Sequence, residues 1–250
     1  MTREERKNKG LSSLDLKLLA MVFMLCDHLW ATIVPGNEWL TCVGRIAFPI
    51  FALLIVEGYF HTKNLKLYIR RLLIFAALSE IPFNLMTGGS VFNPAHQNVL
   101  WTFLIGLGLI RLIEWARYKP YQVGRWLLVA LGALLGGTVA LFGMTDYMHY
   151  GVMTVLIFYL FRGRRWWCFV GQLICMWYIN VEMMGGMVYP IELFGREWII
   201  HQQGFALLAL IPIWLYHGKQ GLYNKVLKYT YYAFYPVHLL LLYLLMLIIH

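Results

Sequence analysis

Lys17 and His28 stand eleven positions apart on one apolar segment, Leu14 to Ile33, and eleven residues make almost three helical turns. Both side chains therefore leave the same face of a helix there, about 16 Å apart along its axis. An imidazole titrates near neutral pH and can move a proton, and a cation recruits negative charge. Asp27 is a second ionisable group at the depth of His28 but points about 100° away around the helix. Such groups cost a few kcal/mol each in hydrocarbon, so inside a membrane segment they mark functional candidates. His28 and Asp27 are thus the first catalytic candidates, with Lys17 as the cation that serves them.

The elements that must position them are membrane helices. Of the 250 residues 60% are hydrophobic and 13% charged, with 10 Trp, 16 Tyr and 15 Phe, a composition no soluble domain could hide. Nine apolar stretches approach the length needed to cross hydrocarbon: 13–34, 39–61, 67–86, 97–116, 125–143, 148–161, 166–184, 199–217 and 229–249. The expected fold is all-α, a polytopic integral membrane bundle of about nine transmembrane helices. It forms a single domain over 1–250 with a short cytoplasmic tail, 1–12. With an internal N-terminus all of the 21 Lys and Arg except Arg45 and Arg196 lie on the cytoplasmic side. The C-terminus is then external. The net charge of +9 follows from that distribution and calls for no nucleic-acid partner.

No cleavable signal peptide is expected, because the first apolar run is long and contains Asp27 and His28. Cys26, Cys42, Cys168 and Cys175 lack metal-ligand spacing and read as packing residues, so neither a metal nor a redox role is expected. Thr87–His96 and Glu182–Trp198 read as external loops.

Counting outward from a turn near Gly36 puts Asp27 and Arg45 at one depth on antiparallel neighbours, which predicts an ion pair. The same counting sets Glu57 near Lys17 at the cytoplasmic end, Glu80 near the Asp27 layer and His238 near the bilayer centre. Pro236 should kink the last helix and free a backbone carbonyl. Asn98, Asp146 and Tyr235 complete the set of site candidates.

Three runs carry a family resemblance: Leu14-Asp15-Leu16-Lys17, Met24-Leu25-Cys26-Asp27-His28, and Gly44-Arg45-Ile46-Ala47-Phe48-Pro49-Ile50-Phe51. Together they resemble the start of the TraX proteins, named for a conjugation protein that acetylates the pilin N-terminus. Gln97-Asn98-Val99-Leu100-Trp101-Thr102, Asp146-Tyr147 with Gly151, and Phe234-Tyr235-Pro236-Val237-His238-Leu239 are similar to later motifs of that family. The wider group comprises membrane acyltransferases that carry acyl groups from cytosolic coenzyme A to envelope acceptors. Its sugar O-acetyltransferases place an arginine, ten residues and a histidine on the first helix. Lys17 and His28 occupy those places here, the cation kept and the bidentate fork lost. A basic cluster opening the third helix is matched by Arg70 and Arg71, although Ile74 stands where a further arginine is common.

What the resemblance implies is an acetyl-CoA-dependent acyltransferase of the bacterial inner membrane. Lys17, Arg70 and Arg71 would hold the coenzyme phosphates, and His28 would act as general base or carry the acyl group. The acceptor would be a peptide such as the pilin N-terminus, a glycan or a small molecule. Tyr235, His238 or Asn98 could donate to the thioester carbonyl oxygen. An ion-coupled small-molecule transporter or a non-catalytic scaffold for pilus or envelope assembly would also place ionisable groups at mid-membrane. A transporter, however, should show repeat symmetry and helices broken in corresponding halves, and a scaffold needs no cytosolic cation cluster.

Overall fold

A computed structural model describes residues 10–118, 122–222 and 224–249. Most of the expected cytoplasmic tail, the loop cation Lys119 and the C-terminal His250 lie outside them.

The described chain is mostly helical. In order it forms α1 (Ser13–Thr32), α2 (Glu38–Gly44), α3 (Ala47–His61), α4 (Leu65–Gly88), α5 (Val99–Ala116), α6 (Gln122–Phe142), α7 (Met148–Leu160) and α8 (Trp166–Trp177). A π-helical segment, Tyr178–Met184, extends α8. After it come β1 (Val188–Leu193), β2 (Arg196–His201), a 3-10 segment (Gln202–Ala209), α9 (Leu210–Leu215) and α10 (Lys225–Ile249). Local chemistry sets the helix starts. Ser12 and Asp15 form a capping box on α1, Asn64 accepts from Leu67 N at 2.9 Å on α4, and Asn98 accepts from Leu100 N at 3.1 Å on α5. Gly89, at φ +65°, ends α4 in the left-handed conformation that glycine adopts without strain.

Three helical stretches among the described residues are long and apolar enough to cross a membrane: Glu38–His61, Val99–Ala116 and Lys225–Ile249. Trp126–Phe142, Met148–Leu160 and Gln202–Leu215 are apolar but shorter. Helices α1 and α4 have 20 and 24 residues, and they carry the ionisable groups of interest.

The chain divides into two compact units, with boundaries inside α3 and α10: Met1–Leu54 with Gly163–Tyr231, and Ile55–Arg162 with Tyr232–His250. In the first unit α1 packs on α2, and the 3-10 segment packs on α2, on α8 and on the π-helical segment. Leu16, Ile50, Met176 and Leu210 are its most enclosed apolar side chains. The stretch before α1 is held by Leu11 N to Leu215 O at 3.0 Å and Ser13 N to Lys219 O at 2.7 Å. In the second unit α5, α6 and α7 pack mutually and α4 packs on α5, around Leu107, Ile110, Val152, Val155 and Phe158. A Cβ on Gly106 would lie 2.9 Å from Val155, so the small residue sets how closely α5 and α7 approach. Outward faces are apolar, as lipid contact requires: Leu127, Leu134, Leu135 and Phe142 on α6, and Leu241, Leu247 and Ile248 on α10, are more than half exposed.

One expected span is corrected. Residues 199–217 do not form one helix, because 199–201 complete strand β2, which pairs antiparallel with β1 from Val188↔His201 to Leu193↔Arg196. The hairpin turns at Phe194 and Gly195, both with positive φ, the backbone of a primed two-residue turn that matches strand twist. The β-branched pair Ile199-Ile200 suits the pleated surface.

Candidate functional site

In the first unit α1 is one unbroken helix from Ser13 to Thr32, so the Lys17–His28 spacing becomes a line of about 16 Å along a single rigid element. Lys17 Nζ lies 5.3 Å from the centroid of the Tyr231 ring, a cation–π contact. His28 is half-buried near the other end, where its carbonyl accepts the Thr32 hydroxyl at 2.6 Å.

Asp27 and Arg45 meet as the depth counting predicts. One guanidinium nitrogen, Nη2, donates to both carboxylate oxygens, and the side chains are 20% and 16% exposed. Thr41, fully buried, sits between them. Its hydroxyl donates to Asp27 Oδ1 at 2.7 Å and accepts from Gln202 Nε2 at 2.9 Å and from Arg45 Nη2 at 3.4 Å. One donor and two lone pairs are then all in use. The approach depends on Gly44, since a Cβ there would stand 2.3 Å from Asp27 Cβ. With its carboxylate engaged on Arg45 and Thr41, Asp27 is placed to hold Arg45.

In the second unit four of the predicted residues converge. Glu80 Oε1 accepts from Asn98 N at 3.1 Å, from Asn98 Nδ2, and from Trp101 Nε1 at 2.6 Å. Asn98 is fully buried, and its Nδ2 also reaches Ala76 O at 2.9 Å. Asp146 Oδ1 lies 3.7 Å from His96 Nε2 and accepts Tyr147 N at 3.1 Å. The Tyr235 side chain, 7% exposed, is within hydrogen-bonding reach of the Val99 backbone and feels both Asp146 and Glu80. His238 points Nδ1 at Phe234 O, 2.7 Å away, and its ring stacks on Phe234. With the ring neutral, that contact puts the proton on Nδ1 and leaves Nε2 as the basic nitrogen.

The loop carrying Asp146 is strained: Met144, Tyr147 and Met148 all have positive φ. It is held in place by Gln97 N to Met144 O and Asp146 N to Gln97 O, both 2.8 Å, and by the Thr102 hydroxyl on Asp146 O. His96 packs edge-on against Phe83. Hydrogen bonding to the Asp146 carboxylate raises the His96 pKa above its ordinary 6.5, against partial burial, with the charges of Asp146 and Glu80 adding to the rise.

Glu57 is buried and accepts Arg162 Nε at 2.7 Å, with the Arg162 guanidinium 4.3 Å from the Phe60 ring centroid. Arg70 is exposed. Arg71 is half-buried close to Tyr68 and has its Nε enclosed with no hydrogen-bond acceptor. Sequence reasoning missed Thr41, His96, Trp101, Arg162 and Gln202. Thr41 was within reach, one turn before Arg45 on a helix, and so was Trp101, three residues after the cap Asn98. Gln202 and Arg162 act across 161 and 105 positions of chain, where no local pattern signals them.

A family model described as TraX protein matches residues 12–246. A curated relative from Dichelobacter nodosus, described as "Probable fimbrial assembly protein FimC, serogroup H1", is 25% identical over 262 aligned positions, covering 94% of this chain and 96% of its own. No solved structure matches.

Proposed function

The chain belongs to the TraX protein family, and from that premise we propose that it is a multi-pass inner-membrane acyltransferase moving an acetyl group from cytosolic acetyl-CoA to an acceptor amine or hydroxyl. Nine spans, a cytoplasmic N-terminus and an external C-terminus belong to this proposal. The relative's description as a probable fimbrial assembly protein favours a peptide amine such as a pilin N-terminus as acceptor.

The observation that carries the reading is α1 itself, an unbroken helix with a cation and an imidazole in line about 16 Å apart. That distance suits an extended pantetheine arm, whose anionic end would rest at Lys17 and whose thioester would reach His28. Arg70 and Arg71 would add charge for the phosphates, and the Arg71 Nε–H that lacks an acceptor fits that use. In the reaction the neutral imidazole of His28 takes a proton from the amine as its nitrogen attacks the thioester carbonyl. The C–S bond breaks, the thiolate leaves, and the proton passes from His28 to sulfur. Asp27 positions Arg45 and takes no part in proton transfer.

Saturable binding of acetyl-CoA to purified protein in nanodiscs tests this directly. The Arg70→Ala/Arg71→Ala variant should bind more weakly, with the largest deficit at low salt. A wild-type protein that binds no acetyl-CoA would contradict the proposal and favour a transporter or scaffold. A double variant that binds as tightly as wild type would reduce the two arginines to topological anchors.

A further inference from the structure

Carboxylates embedded in the helices of this protein are matched with arginines: Asp27 with Arg45, Glu57 with Arg162, Glu114 with Arg117. Glu80 differs from these three. Its donors are all neutral, and all of them fall on Oε1: the backbone N–H and side-chain amide of Asn98, and the indole of Trp101. Oε2 is enclosed and has no hydrogen-bond partner. One turn further along α4, on the same face, Asn84 is 2% exposed. Its Nδ2 is turned to Val91 O at 3.5 Å, which leaves Oδ1 buried and also without a partner. Burying an acceptor without a partner is costly, so two on one helix face mark a place that something else completes.

The chemistry of that something is narrow. It brings positive charge for Glu80 and N–H groups for two separate oxygens. A guanidinium recognises a carboxylate with two parallel bonds, one to each oxygen, and Oε1 already serves three donors. A divalent metal ion asks for about six or more oxygen ligands, and this face offers two that are unused. A protonated primary amine carries one charge and three single N–H vectors, which suits Oε2 and Oδ1 with one left over. Asp146, whose charge acts with that of Glu80 on both Tyr235 and His96, adds negative charge to the surroundings.

We propose that Glu80 Oε2 and Asn84 Oδ1 form a binding site for a primary ammonium group, such as the protonated N-terminus of a peptide. This goes beyond the reading given above and concerns the second unit by itself.

The test is calorimetric titration of the protein in nanodiscs with three probes: trialanine amide, its N-acetylated form, and ethylamine. Acetyl-CoA is absent throughout. Failure here therefore leaves the acetyl-donor reading of Lys17 and His28 standing, and failure of acetyl-CoA binding leaves this site standing. Trialanine amide should bind and the acetylated form should bind at least tenfold more weakly. Glu80→Gln keeps an oxygen for Asn98 and Trp101 and puts an NH2 where Oε2 was, facing Asn84. The variant should therefore unfold at the same temperature as wild type or higher, while trialanine amide affinity falls at least tenfold. Asn84→Leu should lower the same affinity and serves as the reading if Glu80→Gln fails to fold. Ethylamine binding as well as trialanine amide would identify a small amine as the natural ligand, and clearly weaker binding a peptide N-terminus; both support the site. Equal binding of the acetylated probe, or undiminished amine binding by the variants, overturns it.

Discussion

Neutralising Asp27 should cost more stability than neutralising Arg45, although the two belong to one ion pair. Removing one partner from a buried pair costs about 3–5 kcal/mol. Here the side chains keep 20% and 16% exposure, and screening brings the expectation down to about 2–3 kcal/mol for Asp27→Asn. That variant takes the opposite charge away from a guanidinium, which cannot shed its own. Arg45→Gln instead strands a carboxylate, which can take up a proton and keeps the Thr41 hydroxyl, so its cost should be smaller, about 1–2 kcal/mol. In the double variant neither charge remains, and the loss should fall short of the sum by about 1–2 kcal/mol. Unfolding in mixed micelles titrated with SDS, followed by circular dichroism, measures all three. Single variants within about 0.5 kcal/mol of wild type that add without coupling would refute the energetic role of the pair.

Gly44→Ala should destabilise by about 1–3 kcal/mol, because the new methyl meets Asp27, while Gly108→Ala, with open space at its Cβ, should be neutral or mildly stabilising in the same titration. The raised pKa of His96 means the charged imidazole is favoured by folding. Its stabilising contribution is then complete below pH 6.5, the ordinary histidine value, and lost as pH rises through the raised one. Thermal unfolding from pH 5.5 to 8.5 should show wild type losing its advantage over His96→Gln across that interval, and a constant difference would rule the pair out as the source. Reporters fused to the two ends should read opposite sides of the membrane, cytoplasmic for the N-terminus; both on one side would remove the nine-span arrangement.

Much of this was legible because ionisable residues are rare in apolar segments and helix geometry is regular. Counting from one turn was enough to pair Asp27 with Arg45, since two antiparallel neighbours share depth whatever the rest of the fold does. The same regularity gave Lys17 and His28 a common face. Glu80 could be placed at a depth but not given its partners, because Asn98 and Trp101 belong to the start of the next helix and meet it only through α4–α5 packing. Glu57 likewise could be placed at a depth but not given its partner, because Arg162 lies just past the end of α7, 105 positions away along the chain. The hairpin at 188–201 was missed because Glu182–Trp198, with its Gly and Pro, read as a loop, while Ile199-Ile200 merged with the apolar run that follows. Phe194-Gly195 before the Ile199-Ile200 pair was the hairpin signal within that loop.

Acetyl transfer by the His28→Ala variant tests the central claim most directly. Purified wild type and variant, in nanodiscs, receive radiolabelled acetyl-CoA and trialanine amide, and the acetylated peptide is counted. Wild type should transfer the acetyl group and His28→Ala should lose about 10²–10⁴-fold, with acetyl-CoA binding unchanged because the imidazole moves a proton and does not hold the coenzyme. No transfer by wild type to any amine or hydroxyl acceptor, or a variant that keeps more than about a tenth of the wild-type rate, would contradict it.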